Sequence, residues 1–355
     1  MKIAIMNFYS GQVHRGGESF VHELATHLSK KHDVDVYQQG SVQKDARYNI
    51  KRIPIKVNWK RKSSFGLRRR FFIDYWSITV ARFTLKTIPS ILRKRYCLVM
   101  PLNGGWQVAL VRIVTWLYGG KMVISGQSGI GWDDRNNLWS FPDMFVAITK
   151  AAKEWAEKAN PFVRVKYIPN GVNLDKFTPK GKKFKTKLKS PIVLCVGALT
   201  KYKRIDLVIG AVSKLQGVSL LVVGDGELRE DLQKMGKDLL GNRFELVNLS
   251  YDRMPEVYRA CDVFTLVPES FEAFGIVFLE AMATNLPVVT IDDVQRKEIV
   301  GDAGKFINPS DLVAYKNALE NVLSTNWGNK PIRQSAKFSW KVIAKKYESI
   351  FLSVI

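Results

Sequence analysis

A strand-then-helix rhythm that starts twice restricts the fold more than any other feature. In the second half of the chain, Ile192 to Gly197, Ser219 to Gly224, Phe244 to Leu249, Asp262 to Val267 and Pro287 to Ile291 are short apolar runs separated by segments with helical apolar spacing. Continuous apolar runs of that length suit strands buried on both faces, and the helices between them supply the crossovers of a parallel sheet. The first half alternates in the same way. Lys2 to Asn7 is followed by a helix from about Glu18 to Ser29, by Val34 to Gln38, by a basic region, and by runs at Leu98 to Pro101, Met122 to Ser125, Met144 to Thr149 and Val165 to Ile168. A chain of 355 residues exceeds one ordinary core. The reading is α/β with two domains, 1–178 and 179–334, and a last amphipathic helix in 335–355. The boundary falls in Phe177 to Ser190, a Lys-rich stretch in which Pro179 and Gly181 interrupt the periodicity.

The chemistry concentrates in Pro268-Glu-Ser-Phe-Glu-Ala-Phe-Gly-Ile-Val-Phe-Leu-Glu-Ala-Met-Ala283. A strand precedes this stretch and helical spacing begins at Ile276, so Glu269 to Gly275 is the loop at a strand's carboxyl end, where open α/β sheets bind ligands. The N–H groups near Phe274, Gly275, Ile276 and Val277 have no intrahelical partners, and with the helix dipole they suit a diphosphate. Gly275 lets the phosphate come close. Glu280 lies roughly 7 to 8 Å further along the helix axis, while Glu272 precedes it. One carboxylate can thus serve each end of a nucleotide sugar, ribose hydroxyls at Glu280 and sugar hydroxyls at Glu272. Taken singly, Glu280 also fits a solvated helix position and Glu272 an acid near a helix N-terminus.

Together, with Phe274-Gly275 between them, the two acids resemble the E-x7-E motif of the retaining GT-B glycosyltransferases of the family-4 type (glycosyltransferase group 1), and the resemblance extends along nearly the whole chain. It implies two Rossmann-like domains facing across a cleft, an N-terminal acceptor domain and a C-terminal donor domain, with the terminal helix packing back on the first. It implies a hexosyltransferase that moves a sugar from a UDP- or GDP-sugar with retention at the anomeric carbon. No metal or cofactor is expected, because helix amides and basic side chains can stabilise the leaving diphosphate. Val196-Gly-Ala-Leu-Thr-Lys-Tyr-Lys-Arg-Ile-Asp206 resembles the family's loop that places cations on that diphosphate. Lys203 is the point charge for it, and Arg204 could add a bidentate contact. Many members carry an arginine where this chain has Ala198, which shifts the cationic share onto Lys203. Glu272 and Lys203 are therefore the expected catalytic groups. Val222-Val-Gly-Asp-Gly-Glu227 matches the family's next strand end, although Gly224-Asp-Gly226 alone is a turn.

Gly11-Gln-Val-His-Arg-Gly-Gly-Glu18 resembles the family's glycine loop at the donor phosphate and acceptor. Gly16 and Gly17 are expected to allow close backbone approach and Arg15 to meet phosphate, while Glu18 also fits an N-terminal helix acid. The G-x-G-x-x-G dinucleotide spacing is absent. Ile168 to Phe177 matches a hinge-side turn, with Pro169 and Asn170-Gly171 setting the turn and Val172, Leu174 and Phe177 expected between domains. In Ser125 to Asp134 many relatives have a histidine near the reacting sugar, and here Gln127 occupies that neighbourhood. Asp133 or Asp134 is assigned either to the acceptor or to capping. Neither Asp133-Asp134 nor Asp292-Asp293 is read as a metal site.

Charge is the second signal. The chain carries 55 Lys and Arg against 32 Asp and Glu, net +23, and 44–95 holds sixteen cations against Asp45 and Asp74. Trp59, Phe65, Phe71, Phe72, Tyr75, Trp76 and Phe83 interleave with them. Such a mix fits an anionic bilayer surface, each nearby cation contributing about 1 kcal/mol, and this is the preferred reading over a solvated basic face whose aromatics belong to the core. No uncharged apolar run reaches membrane-spanning length, since Asp74, Arg82 and Lys86 break Phe71 to Leu92. The N-terminus runs straight into a strand without signal-peptide features, so the expected location is cytoplasmic, peripheral at the inner face of the membrane. Cys97, Cys195 and Cys261 are far apart and odd in number, as reduced core thiols would be. No nucleic-acid module accompanies the basic patch, and no nucleic-acid partner is expected. The expected acceptor is lipid-linked or membrane-located. The competing reading is a catalytically impaired nucleotide-sugar or anionic-surface binding protein on the same fold.

Overall fold

The computed structural model describes residues 1–12, 16–41, 46–61, 66–269 and 272–355. In chain order its elements begin β1 (Lys2–Met6), α1 (Gly16–Leu28), β2 (Asp33–Gln38), β3 (Asn49–Arg52), α2 (Leu67–Arg70), α3 (Tyr75–Lys94), β4 (Leu98–Pro101), α4 (Trp106–Tyr118), β5 (Lys121–Gly126), α5 (Trp132–Trp139), β6 (Met144–Ala147), α6 (Lys150–Ala159) and β7 (Val165–Tyr167). They continue with β8 (Ile192–Val196), α7 (Ile205–Ser213), β9 (Ser219–Val223), α8 (Arg229–Leu240), β10 (Phe244–Val247), α9 (Met254–Arg259) and β11 (Val263–Leu266). The last are α10 (Ile276–Ala283), β12 (Val288–Ile291), α11 (Val294–Val300), β13 (Gly304–Ile307), α12 (Leu312–Ser324), α13 (Lys330–Ala336) and α14 (Trp340–Val354). The chain forms two compact units, Met1–Asn170 with Trp340–Ile355, and Gly171–Ser339.

Unit 1 holds a seven-stranded sheet in the order β3-β2-β1-β4-β5-β6-β7, and unit 2 a six-stranded sheet in the order β10-β9-β8-β11-β12-β13. Neighbouring strands run parallel, as the continuous apolar runs require. Each order reverses once. In unit 1 the chain leaves β1 toward β2 and leaves β4 toward β5 on the other side, so a crevice opens beyond the carboxyl ends of β1 and β4. In unit 2 the same reversal lies between β8 and β11.

The sheet of unit 1 is covered on both faces. Phe20 and Leu24 of α1 pack with Trp340, Tyr347 and Phe351 of α14 on one face. On the other lie Val80 and Phe83 of α3, Val108 and Val111 of α4, and Ala152 and Ala156 of α6. Each fully buried large side chain contributes about 1.5–3 kcal/mol. Cys195 and Cys261 are buried free thiols, and burial pushes the Cys195 thiol up to about 12.

Several elements depart from the sequence reading. β3 reads Asn-Ile-Lys-Arg at the sheet edge and has no apolar run to announce it. β13 is likewise an edge strand, opened by a glycine. The terminal helix expected in 335–355 begins at Trp340. The chain breaks before it because the Phe338 carbonyl accepts the Val172 N–H at 2.9 Å, with Val172 and Ser339 in a parallel bridge. The chain changes units at Asn170 rather than at 178. Phe177 is buried in unit 2, its ring 5.8 Å from those of Tyr251 and Tyr258, which makes it part of that unit's core.

Candidate functional site

In unit 2 the loops leaving β8 and β11 meet at the reversal and are stitched together by backbone acceptors. Glu269 N–H donates to the Tyr202 carbonyl at 2.8 Å. Arg204, held left-handed at φ 50°, donates through Nε to the Val267 carbonyl at 2.8 Å and through a terminal nitrogen to the Pro268 carbonyl at 2.7 Å. Two nitrogens of the guanidinium are thus committed to the strand-end carbonyls and brace the loop, so the expected phosphate contact of Arg204 would fall to its other terminal nitrogen. Lys203, buried beside it, donates to the Glu272 carboxylate. The two groups expected to carry the chemistry thus form one ion pair, with side chains 11% and 15% exposed. Ser270 and Phe271 lie outside the described residues.

Gly275 caps α10 at φ 84°, and a β-carbon there would sit 2.6 Å from the Phe278 ring. Glycine is required by that conformation and that ring, a reason different from the close phosphate approach read from the sequence. Phe274 is buried against Phe338, while Ile276 and Val277 open the first turn with half-buried side chains. By position their N–H groups are helix orphans facing the strand ends. The Gly224-Asp225-Gly226 turn packs on the β8 loop, Leu199 N–H donating to the Asp225 carbonyl at 2.9 Å.

Glu280 is not on a solvated face. It is 4% exposed, and its two oxygens accept from Tyr251 at 2.9 Å and Tyr258 at 2.8 Å. Burial raises its pKa, and the two tyrosine hydroxyls and Lys176 pull it back. A ribose hydroxyl would have to use the second lone pair of an oxygen already engaged. One residue that the sequence did not point to completes the group. Arg296 is fully buried, with one terminal nitrogen 3.2 Å from Asp293 and the other donating to the Glu272 carbonyl at 3.2 Å, while its Nε has no partner. Burial lowers its pKa, and Asp293 and Glu272 oppose that. Asp293 also caps α11, and Asp292 pairs with Lys297, so both acids are spent on local contacts.

Unit 1 carries a cavity of about 290 Å³ at its own reversal, beyond β1 and β4. Asn7 and Asn103 line it, with Asn103 Nδ2 donating to Asn7 Oδ1 at 3.0 Å and Phe8 N–H donating to Asn103 Oδ1 at 2.7 Å. Tyr9, Phe72, Trp76 and Trp106 supply aromatic walls. Gln127 lines the cavity and exchanges amide hydrogen bonds with Asn170 at 3.1 and 3.0 Å. Asp133 also lines it, paired with Arg69 at 2.8 Å. Asp134 is buried, accepts from Asn137 at 2.9 Å, and burial pushes its carboxyl up to about 7. Of the glycine loop, Gly16 and Gly17 form the first turn of α1 and Gly17 reaches the cavity, whereas Arg15 lies outside the described residues. The strand-end string Asn103-Gly-Gly-Trp106 carried the same positional signal as the motifs singled out in the sequence.

The basic region divides in the structure. Lys44, Asp45, Lys62 and Phe65 lie outside the described residues, and Phe83 belongs to the core. The rest presents Arg68, Arg69 and Arg70 beside Phe71, which is 62% exposed, and Ile73. On α3, Ile78, Leu85 and Leu92 recur every seven residues on the exposed side, beside Arg82, Lys86 and Arg93. The neighbouring helix α4 exposes Trp106, Ile113, Trp116 and Leu117, the last 74% exposed. Among the described residues no helix is long and apolar enough to cross a membrane, and no group of three His, Cys, Asp or Glu is placed to hold a metal ion.

The family model for glycosyl transferases group 1 matches residues 177–337. An uncharacterized glycosyltransferase of Methanocaldococcus jannaschii is 26% identical over 384 residues, covering 95% of this chain and 95% of that protein. An exopolysaccharide phosphotransferase of Streptomyces coelicolor is 29% identical over 233 residues, 60% of this chain, and the chain spans only 24% of that protein's length. Among solved structures, Anabaena HepE in complex with UDP and glucose is similar with a TM-score of 0.77 at 18% identity, covering 99% of this chain and 100% of that one. That likeness identifies the fold, two Rossmann-like halves of the GT-B kind, in agreement with the two parallel sheets. The chain thus has the GT-B fold, and its residues 177–337 match the group 1 glycosyl transferases.

Proposed function

We propose that the protein transfers a sugar from a nucleoside diphosphate donor, with retention at the anomeric carbon and without a metal, to a lipid-linked or otherwise membrane-located acceptor. The observation that carries this reading is the meeting of Lys203, Glu272 and the Gly275-opened turn of α10 at the reversal of unit 2's sheet. A cation, an acid and a row of helix-end amides at one sheet edge suit a diphosphate joined to a polyhydroxylated ring. Lys203 would hold the diphosphate with the amides near Gly275, and Glu272 would exchange its contact with Lys203 for the sugar hydroxyls as the donor binds. Electrostatic stabilisation of the leaving diphosphate by these groups is the step the site can supply without further cofactors. Retention agrees with a diphosphate oxygen taking the acceptor proton. The complex of Anabaena HepE with UDP and glucose supports the donor class.

The membrane part of the reading rests on a different surface. Exposed leucine, isoleucine and tryptophan side chains of α3 and α4 stand beside a dense set of arginines and lysines. Apolar side chains that enter the headgroup region, flanked by cations that attract anionic lipid, describe an interfacial protein. The test has two arms. Transfer from UDP- and GDP-sugars to a membrane lipid extract is measured for the wild type and for Glu272→Ala, with the anomeric configuration of the product read by NMR. Full transfer by Glu272→Ala, or an inverted product, would defeat the catalytic assignment. Flotation with vesicles containing anionic lipid at low salt tests the surface, and failure of the vesicles to retain the protein ends that part of the proposal.

A further inference from the structure

The unit 1 cavity is more specific than a general acceptor surface. Its charged lining consists of one cation, Arg69, and three carboxylates, Glu18, Asp74 and Asp133. Arg69 is taken by Asp133 at 2.8 Å and by Ser77 at 3.3 Å, and Asp74 is spent on the first turn of α3, accepting from the Trp76 and Ser77 N–H groups. Among the described lining residues no uncommitted cation remains for a phosphate or carboxylate. An anionic group entering here would lie near the Asp74 and Asp133 carboxylates with no free cation among the described lining residues to offset them, which costs binding energy and is a means of rejecting wrong ligands.

The remaining surface is of two kinds. Aromatic faces come from Tyr9, Phe72, Trp76 and Trp106, and planar amides from Asn7, Asn103 and Gln127. The amides are held in fixed orientations by the Asn7–Asn103 and Gln127–Asn170 bonds. Gly104, on the cavity wall, leaves little room for a side chain, since a β-carbon there would sit 3.2 Å from Oδ1 of Asn137. Gly104 itself has φ 63°, so a side chain there is disfavoured as well as crowded. Aromatic faces for the C–H side of a ring and fixed amides for its hydroxyls match a carbohydrate. A pocket of this size, with few placed polar groups, fits one ring.

We propose that this cavity binds a neutral glycosyl residue of the acceptor, so that the group receiving the sugar belongs to an uncharged sugar ring and not to a phosphate, a uronic acid or a bare lipid alcohol. The inference rests on the glycosyl transfer proposed above and narrows its acceptor.

Saturation-transfer NMR on the full chain tests it with methyl glycosides of glucose, galactose and mannose at millimolar concentration, against methyl glucuronide and glucose 6-phosphate. The measurement is repeated with UDP or GDP present. Expected is saturable binding of at least one neutral glycoside, weak or absent binding of both anionic sugars, and about tenfold weaker binding in Trp106→Ala. Trp106 is 47% exposed, so that variant keeps its fold, which circular dichroism verifies. Gln127→Ala is a second variant that removes one of the lining amides and is expected to weaken the same glycoside. Binding of the anionic sugars alone, binding of no sugar under either condition, or neutral binding unchanged in both variants would each overturn the inference. Binding of UDP or GDP, followed separately by calorimetry, keeps the two readings apart. Neutral sugar binding without any nucleotide binding would support the cavity and sink the transferase reading, and nucleotide binding without sugar binding would do the reverse.

Discussion

Replacing Lys203 by methionine keeps most of the side chain's volume and removes its charge, leaving the Glu272 carboxylate 15% exposed without its cation. Exposed pairs are worth about 0.2–1 kcal/mol, whereas removing one partner of a buried pair costs about 3–5 kcal/mol. With side chains 11% and 15% exposed, this pair lies between those limits. Lys203→Met is expected to destabilise unit 2 by about 2–3 kcal/mol. Glu272→Gln should cost somewhat less, about 2 kcal/mol, because the stranded ammonium can turn toward solvent or the Tyr202 ring, 5.3 Å away. In the double variant neither group is stranded, so the two losses should fall short of additivity by about 1.5–2 kcal/mol. The assay is native-state hydrogen exchange read at the amides of β11 and α10. Tryptophan fluorescence would be a poor probe, since Trp327 is the one tryptophan of unit 2. Losses that add to within about 0.5 kcal/mol would refute the argument that the pair is coupled in a water-poor site.

Two further outcomes follow from the same coordinates. Arg296→Met leaves the Glu272 carbonyl and Asp293 without their partner, and should lower the stability of unit 2 by about 2–4 kcal/mol by denaturant unfolding; Arg296→Lys should not restore it, because a single ammonium cannot fork between Gln295, Asp293 and the Glu272 carbonyl. For Asp134, burial lifts the folded carboxyl from 3.8 to about 7. The folded state therefore holds a proton that the unfolded state releases between pH 4 and 7, so the native state loses stability as pH rises through that window, by up to about 4 kcal/mol. Asp134→Asn removes this dependence, and its stability relative to wild type should grow from pH 4 to pH 7 and then level off; a constant difference across that range would show that Asp134 titrates normally.

The parts of the fold and site that were legible in the sequence are those written locally. Buried strands announce themselves as apolar runs, and the loop after such a run is where ligand groups gather, which is why Lys203, Glu272 and Gly275 could be singled out together. β3 was invisible because an edge strand reading Asn-Ile-Lys-Arg carries no apolar run. Arg204 stood in the right loop, yet its role depends on a left-handed backbone that sends the guanidinium to the Val267 and Pro268 carbonyls. Arg296, Tyr251 and Tyr258 come from other strand-helix repeats and reach Glu272 and Glu280 only through the tertiary fold. The same holds for the cavity of unit 1, assembled from the ends of β1, β4 and β5 with residues of α2 and α3.

The measurement that bears most directly on the donor site is calorimetric titration of the full chain with UDP and GDP, for the wild type and for Lys203→Ala. The account predicts saturable binding of at least one of them and at least tenfold weaker binding by the variant, about 1.4 kcal/mol or more. Binding of neither nucleotide, or equal affinity in wild type and variant, would contradict the claim that Lys203 and the turn at Gly275 hold a nucleoside diphosphate.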